Sequence, residues 1–421
     1  MPNLTSADQG RIAVIIGAGF AGLVTAAHLV QRGVRVTLVD PAPPGEGCSF
    51  GNAGCLSRAS IVPLGLPGVW KKVPGYLMDP EGPFRIHWGY ALRIAPWMLS
   101  LQRASRLERV NQIADALQPL LDPCVTEWRK LAAWAGVPEL IRQDGYAFVY
   151  ESEQAFMADR LGRDLRSARG VKMEILRGPE IREFDPALSP HLTHMTLMPE
   201  QGHVPNPGRL SSALAQALRA AGTSFVEAKA TGFDTEGGRV TAVRTTAGLL
   251  PADAVVVAAG AYSRPLAAEL GNDVPLETER GYHVMLPTAQ GVPRIPVCSG
   301  EGKFFATPME TGLRIAGTVE LAGLERPPNF ARADVLPSMA RRMLPKIDEA
   351  VSSRWMGHRP SLPDSLPVLG RSSRYGNAFF DFGHGHVGLT AAPRCGSVIA
   401  DLVCSGETDL NLAPYAASRF G

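Results

Sequence analysis

Near its start the chain carries an apolar run, Arg11 to Ile16 (RIAVII), that predicts a strand buried on both faces, as in a parallel sheet. Phe20 to Arg32 is rich in Ala and Leu and predicts a helix that stops at Gly33. Val34 to Asp40 (VRVTLVD) predicts a second strand, which completes a β-α-β unit. The stretch Ile12 to Val30 is almost continuously apolar, yet Gly17, Gly19, Gly22 and His28 break it. A signal peptide or membrane span is therefore a poor reading of it.

Further along, residues 106–135 predict helix, Asp144 to Glu151 a strand, and residues 153–169 a charged helix. Asn206-Pro207-Gly208-Arg209 opens a helix that runs to Ala221, followed by a short strand from Thr223 to Val226. A β-hairpin then turns at Glu236-Gly237-Gly238. Ala254 to Ala258 predicts a short buried strand, residues 280–320 several antiparallel strands, and Gly388 to Val403 a final helix entered from a Gly-rich turn. The order is α/β, mixed α+β, α/β again, more strands and a helix. That order implies two interleaved domains rather than two in series.

Composition narrows the class. A chain of 421 residues with 45% hydrophobic and 19% charged residues is globular and long enough for two or three domains. A net charge of +2 calls for no nucleic-acid or strongly acidic partner. The six cysteines, at 48, 55, 124, 298, 395 and 404, form no C-x-x-C pair and no zinc spacing with histidine. They read as reduced thiols of a cytoplasmic protein without a metal site.

Gly17-Ala18-Gly19-Phe20-Ala21-Gly22 is a G-x-G-x-x-G turn between predicted strand and helix, with Asp40 ending the next strand about twenty residues on. Gly17 permits the tight turn, Gly19 lets the backbone approach a pyrophosphate, and Gly22 allows close helix–strand packing. The helix N-terminus at Phe20 offers free N–H groups to phosphate. A carboxylate at Asp40 accepts from ribose hydroxyls and repels a 2′-phosphate. A second Gly-rich loop, Gly383-His384-Gly385-His386-Val387-Gly388 followed by Leu389 and Thr390, enters the last helix. Its helix terminus suits the charge that a flavin gains on reduction. Two such termini in one chain fit FAD better than NAD.

Five segments resemble the D-amino-acid oxidase superfamily of FAD-dependent oxidoreductases, and within it the small subunit of bacterial D-amino-acid dehydrogenases. They are residues 12–40, CSFGNAGCLS at 48–57, ERGYHVML at 279–286, GHRPSLPDSLPVLG at 357–370 and FGHGHVGLTAAP at 382–393. The resemblance implies that Ser49, Asn52 and Gly54 belong to a loop around the flavin and that the Ala230 backbone contacts adenine. It further implies that Ala259 and Gly260 form a second cofactor segment, and that Gly383 to Thr390 lie under the isoalloxazine. Arg359 is implied as the clamp on a substrate carboxylate, which a planar guanidinium suits better than an ammonium. Tyr282 is implied to line the substrate pocket. The chain departs from its relatives at His283 and His386, which adds two histidines near the implied pocket; both, with His384, are candidate bases or polar contacts.

The expected fold is therefore α/β: a Rossmann-like FAD-binding domain (residues 1–60, 200–275 and 356–421) interleaved with an α+β substrate domain built on an antiparallel sheet (61–199 and 276–355). The expected activity is oxidative deamination of a D-amino acid, with electrons passed to a quinone or another acceptor. Alternatives are oxidation of a secondary amine, direct use of oxygen, and a non-catalytic FAD-binding subunit. Residues 70–101 mix Trp70, Lys71, Lys72, Tyr76, Leu77, Trp88, Tyr90, Trp97 and Met98 with prolines and acids. They read as a cap over the active site or, as a weaker alternative, a peripheral contact with the inner face of the membrane.

Overall fold

The computed structural model describes residues 10–420 except 72, 74, 76–78, 80–81, 288–289 and 349. Its first sheet has six strands in the order Val368–Arg371, Ala378–Phe382, Ala254–Val257, Ile12–Ile16, Arg35–Asp40 and Ser224–Glu227. All neighbours run parallel except the first pair. The strand Ile12–Ile16 is central, and alternation sends its residues to two different cores. Ala13 and Ile15 pack with the helices Phe20–Gln31 and Gly388–Cys404, whereas Val14 and Ile16 pack with Val255, Val257 and Phe380. Burial on both faces is why this segment is apolar without a break.

The two helices on one face approach closely because Gly396 lacks a side chain; a Cβ there would lie 2.9 Å from the Thr25 amide nitrogen. Gly17 and Gly22 are required for a similar reason. Gly17 has φ +111, and a Cβ on it would lie 2.3 Å from the Ala258 carbonyl oxygen. A Cβ on Gly22 would lie 1.9 Å from the Gly17 oxygen.

The second sheet runs in the order Ser353–Ser361, Glu277–Leu286, Gly312–Leu321, Phe305–Met309, Val297–Ser299, Tyr146–Tyr150, His194–Met198 and Glu174–Arg177. It is antiparallel apart from two pairings, Val297–Ser299 with Tyr146–Tyr150 and Gly312–Leu321 with Phe84–Ile86. The strand Ser353–Ser361 stays in this sheet to its end, so the chain crosses back after Ser361 and not at 356. The hairpin turns at Gly237 and Gly238, both with positive φ. The helical stretch 106–135 is two helices, Leu107–Leu121 and Cys124–Trp134, because Pro123 cannot continue the first. The charged stretch 153–169 is likewise divided, at Asp159.

Gly22→Ala should cost about 1–3 kcal/mol by overpacking. The expected result is a lower thermal midpoint together with cofactor lost on gel filtration; unchanged retention would show that the helix can shift freely.

Candidate active site

One cavity of about 1400 Å³ runs from the carboxyl ends of the parallel strands to the second sheet. That exceeds the roughly 300–1,000 Å³ of a drug-sized site and suits a dinucleotide plus substrate. Gly17, Ala18, Gly19 and Phe20 line one end. No acidic residue stands in the first turn of the helix Phe20–Gln31, and the Phe20 amide donates to Ser49 Oγ over 2.9 Å. Ser49 thereby fixes the loop against the helix N-terminus where a pyrophosphate would sit. Asp40 accepts from the Ala18 amide at 2.8 Å and from the Ala42 amide at 2.9 Å, and faces the cavity. Ala230, Ala259 and Gly260 line the same end.

Asn52 accepts from the Gly54 amide at 2.8 Å, and Gly54 (φ +79) is itself packed against Val204. In the second loop, Gly383 and Gly385 both have positive φ. His384, Gly385, His386, Gly388, Leu389 and Thr390 line the cavity. Gly22, Gly54 and Gly383 do not line it but shape the backbone that does. Two helix N-termini that donate, small residues between them and Asp40 as acceptor fit FAD.

Neighbouring strands build the other wall. Along Glu277–Leu286, alternation puts Glu279, Gly281 and His283 on one face and Arg280 and Tyr282 on the other. Glu279 pairs with Arg359, and Gly281 with Gly357. The register with Gly312–Leu321 slips between Arg280 and Tyr282, leaving a bulge at Thr318 and Val319 opposite Gly281. Thr318 has φ +57, its carbonyl accepts from Arg359 Nη1 at 3.2 Å, and its Oγ1 is buried without a partner. A Cβ on Gly281 would lie 2.1 Å from the Arg359 Cζ, so the guanidinium rests on bare backbone.

Glu279 is 1% exposed and accepts from Ser361 Oγ at 2.7 Å and His386 Nε2 at 2.8 Å. Burial alone would push this carboxyl up. Hydrogen bonds from His386 and the Ser361 hydroxyl, with the nearby charge of Arg359, outweigh burial and hold it below its ordinary value. Burial also pulls the Arg359 guanidinium down, against the opposing pull of Glu279 and Cys48.

The structure places the remaining candidates differently. Tyr282 reaches the cavity wall, but its hydroxyl donates to Glu320 at 2.6 Å and accepts from the Asn329 amide. Burial, then Glu320, pushes its phenol up to about 12. His283 does not line the cavity. Its ring stacks on Trp355 at 5.0 Å, and its Nδ1 donates to the Gly51 carbonyl at 3.1 Å. His384 Nε2 lies 3.1 Å from Asp381 Oδ1, an ion-pair distance with poor hydrogen-bond alignment. Asp381, His384 and Cys395 bring one ligand-type atom each within 4.8 Å of one another, all buried. Glu279, Thr318 and Trp355 went unnoticed in the sequence; the alternation in ERGYHV was the available signal for Glu279, whereas the bulge left none. Trp70, Trp97, Met98 and Leu101, from the segment read as a cap, line the same cavity.

A family model described as FAD dependent oxidoreductase matches residues 13–402. The chain belongs to this family. It is an FAD-dependent oxidoreductase. It is 42% identical to a D-amino-acid oxidase of Bradyrhizobium diazoefficiens over 98% of this chain and 99% of that one. It is 29% identical to a D-amino acid dehydrogenase of Vibrio cholerae over 94% and 96%. An L-proline dehydrogenase structure from P. horikoshii shares the fold, with a TM-score of 0.76, 20% identity and 97% of each chain covered.

The flavoenzyme's buried histidines make it acid-sensitive. Burial lowers His283 to about 3 and His28 and His358 to about 4. Unfolded, each titrates near 6.5. Between those values the unfolded chain binds protons that the folded chain does not. Stability is therefore complete above about pH 6.5 and is lost as pH falls towards 4 and then 3. Thermal midpoints should fall steadily over that window. The slope should be shallower in His283→Asn, and an equal slope would remove His283 from this account.

Proposed function

We propose that the protein oxidatively deaminates a D-amino acid to a 2-oxo acid and ammonia. The observation that carries this reading is the guanidinium of Arg359, seated on Gly281 and facing a cavity that both cofactor loops also line. The names of the two relatives above support the D configuration.

FAD, when bound, supplies the acceptor for the hydride that leaves the substrate Cα. The first helix terminus, Ser49, Asn52, Asp40 and the backbone at Ala230, Ala259 and Gly260 would hold its nucleotide part, and the loop from Gly383 to Thr390 its ring. The chain's own work is binding and proton handling. Arg359 binds the carboxylate with two parallel hydrogen bonds and so orients Cα. Glu279, as carboxylate, accepts from His386 Nε2, and in the neutral ring the Nδ1 lone pair then accepts the proton of the substrate ammonium. The imino acid that results is hydrolysed by water. A secondary amine presents the same carboxylate, so the substrate panel must contain both classes.

Anaerobic bleaching of the flavin band with D- and L-amino acids, proline derivatives and N-methyl amino acids tests this. D-amino acids should bleach it fastest, and bleaching by secondary amines alone would overturn the reading. Arg359→Lys should raise KM about 10- to 100-fold, the worth of a charged hydrogen-bond pair. In His386→Asn the rate should climb with pH towards the pKa of the substrate amine; an unchanged profile would remove His386 as proton acceptor.

For the electron acceptor we propose a membrane quinone, reached through the outer side of residues 88–99. Trp88, Leu92 and Leu99 are 85%, 93% and 57% exposed along it. An apolar stripe of this kind suits the bilayer surface. No helix among the described residues is long and apolar enough to cross a membrane. Lys72, Tyr76 and Leu77 of the expected contact lie outside the described residues, as does the side chain of Lys71. The protein should float with anionic liposomes and Leu92→Glu should not; a protein that stays at the bottom of the gradient would refute the contact.

A further inference from the structure

The loop 48–54 is held to the antiparallel sheet by its carbonyl groups. Arg314 Nη1 donates to the Phe50 carbonyl at 3.1 Å and to the Asn52 carbonyl at 2.6 Å. His283 Nδ1 takes the carbonyl between them, that of Gly51. The Trp355 ring lies under the same residue; a Cβ on Gly51 would come within 2.3 Å of it. Arg314, His283 and Trp355 stand on three neighbouring strands of that sheet. Arg314 is 7% exposed, and among the described residues its remaining contact is from Nε to Met285 Sδ, with no carboxylate. Burial alone pulls its guanidinium down to about 10, so it is still charged at neutral pH. A buried cation without a counter-ion is unfavourable, and here the negative ends of two peptide dipoles stand in for one. Burial keeps the His283 ring neutral, so it adds a hydrogen bond and no charge.

The N–H of a trans peptide points opposite to its C=O. Carbonyls turned towards Arg314 therefore turn the Gly51 and Ala53 amides away from it. Both residues line the large cavity, and neither amide has an acceptor among the described residues. We propose that Arg314 is a positioning residue for the flavin: it fixes these two peptide planes so that their N–H groups donate into the cavity, and its charge and the two amides together favour the negative charge that a flavin ring gains on reduction. The inference rests on FAD binding alone and not on the substrate proposed above. Neighbouring backbone N–H groups form a concavity that attracts negative charge. Donors fixed beforehand need no rearrangement as that charge develops. Away from water, the guanidinium charge also reaches further than it would on the surface.

The test uses the flavin-bound protein with no amino acid present, so it stands apart from the choice of substrate. Arg314→Gln removes the charge and keeps an N–H donor, whereas Arg314→Lys keeps the charge. Two quantities are read: the midpoint potential of the bound flavin, and the dissociation constant of sulfite, which adds to flavin N5 and leaves negative charge on the ring. In Arg314→Gln sulfite should bind about 10-fold or more weakly, the worth of a charged hydrogen bond. The potential should fall by about 30 mV or more, the same factor for a two-electron couple. Arg314→Lys should recover most of both changes. Ala53→Pro deletes one of the two amides and leaves Arg314 in place. It should move both readouts in the same direction, and it carries the test if Arg314→Gln does not fold or sheds its flavin. A potential and a sulfite affinity equal to those of the natural protein, in either variant with flavin bound, would overturn the proposal. So would an Arg314→Lys that loses as much as Arg314→Gln, because a bond that merely braces the loop gives no reason for the charge to matter.

Discussion

The guanidinium of Arg359 lies against the bare backbone of Gly281, and much of the site follows from that contact. A side chain at 281 would occupy the volume of the guanidinium itself. The bulge opposite Gly281 turns the Thr318 carbonyl towards Arg359 and places a β-branched residue at positive φ, a conformation that costs about 1–3 kcal/mol and persists only when its surroundings enforce it. Glu279, its partner across the strand pair, supplies the opposite charge in a place where water does not reach. An arginine so placed remains charged and keeps donor groups free for a carboxylate.

Glu279 also connects the two halves of the protein. It belongs to the antiparallel sheet, whereas His386 belongs to the loop that enters the helix Gly388–Cys404 of the parallel-sheet domain. Ser361, where the chain crosses back to the parallel sheet, completes the set. One buried carboxylate thus bridges the antiparallel sheet and the loop that enters the last helix. Removing a partner from such a charge is costly, which favours a single relative placement of the two walls.

Much of this was legible in the residues. The strand–turn–helix around Gly17 to Gly22 is local: its apolar run, glycine spacing and helix stop all lie within about thirty residues, where chain geometry alone dictates structure. The second loop at Gly383 to Thr390 was legible for the same reason. The segment 353–361 was harder to assign, because an extended strand crossing between two sheets has the same pattern in either.

The sequence by itself determined the dinucleotide fold, the two helix termini and Arg359 as the candidate clamp, since each depends on residue type at fixed local spacing. Only the tertiary structure decided which side of the wall each residue faces. Period-2 alternation separates Glu279 and His283 from Tyr282, but the pattern alone does not say which face is the cavity. Packing answers that: Trp355 covers His283, Glu320 takes the Tyr282 hydroxyl, and Glu279 is left to His386. The bulge at Thr318 is likewise set by pairing between strands distant in the chain, and no local pattern encodes a one-residue slip of that kind.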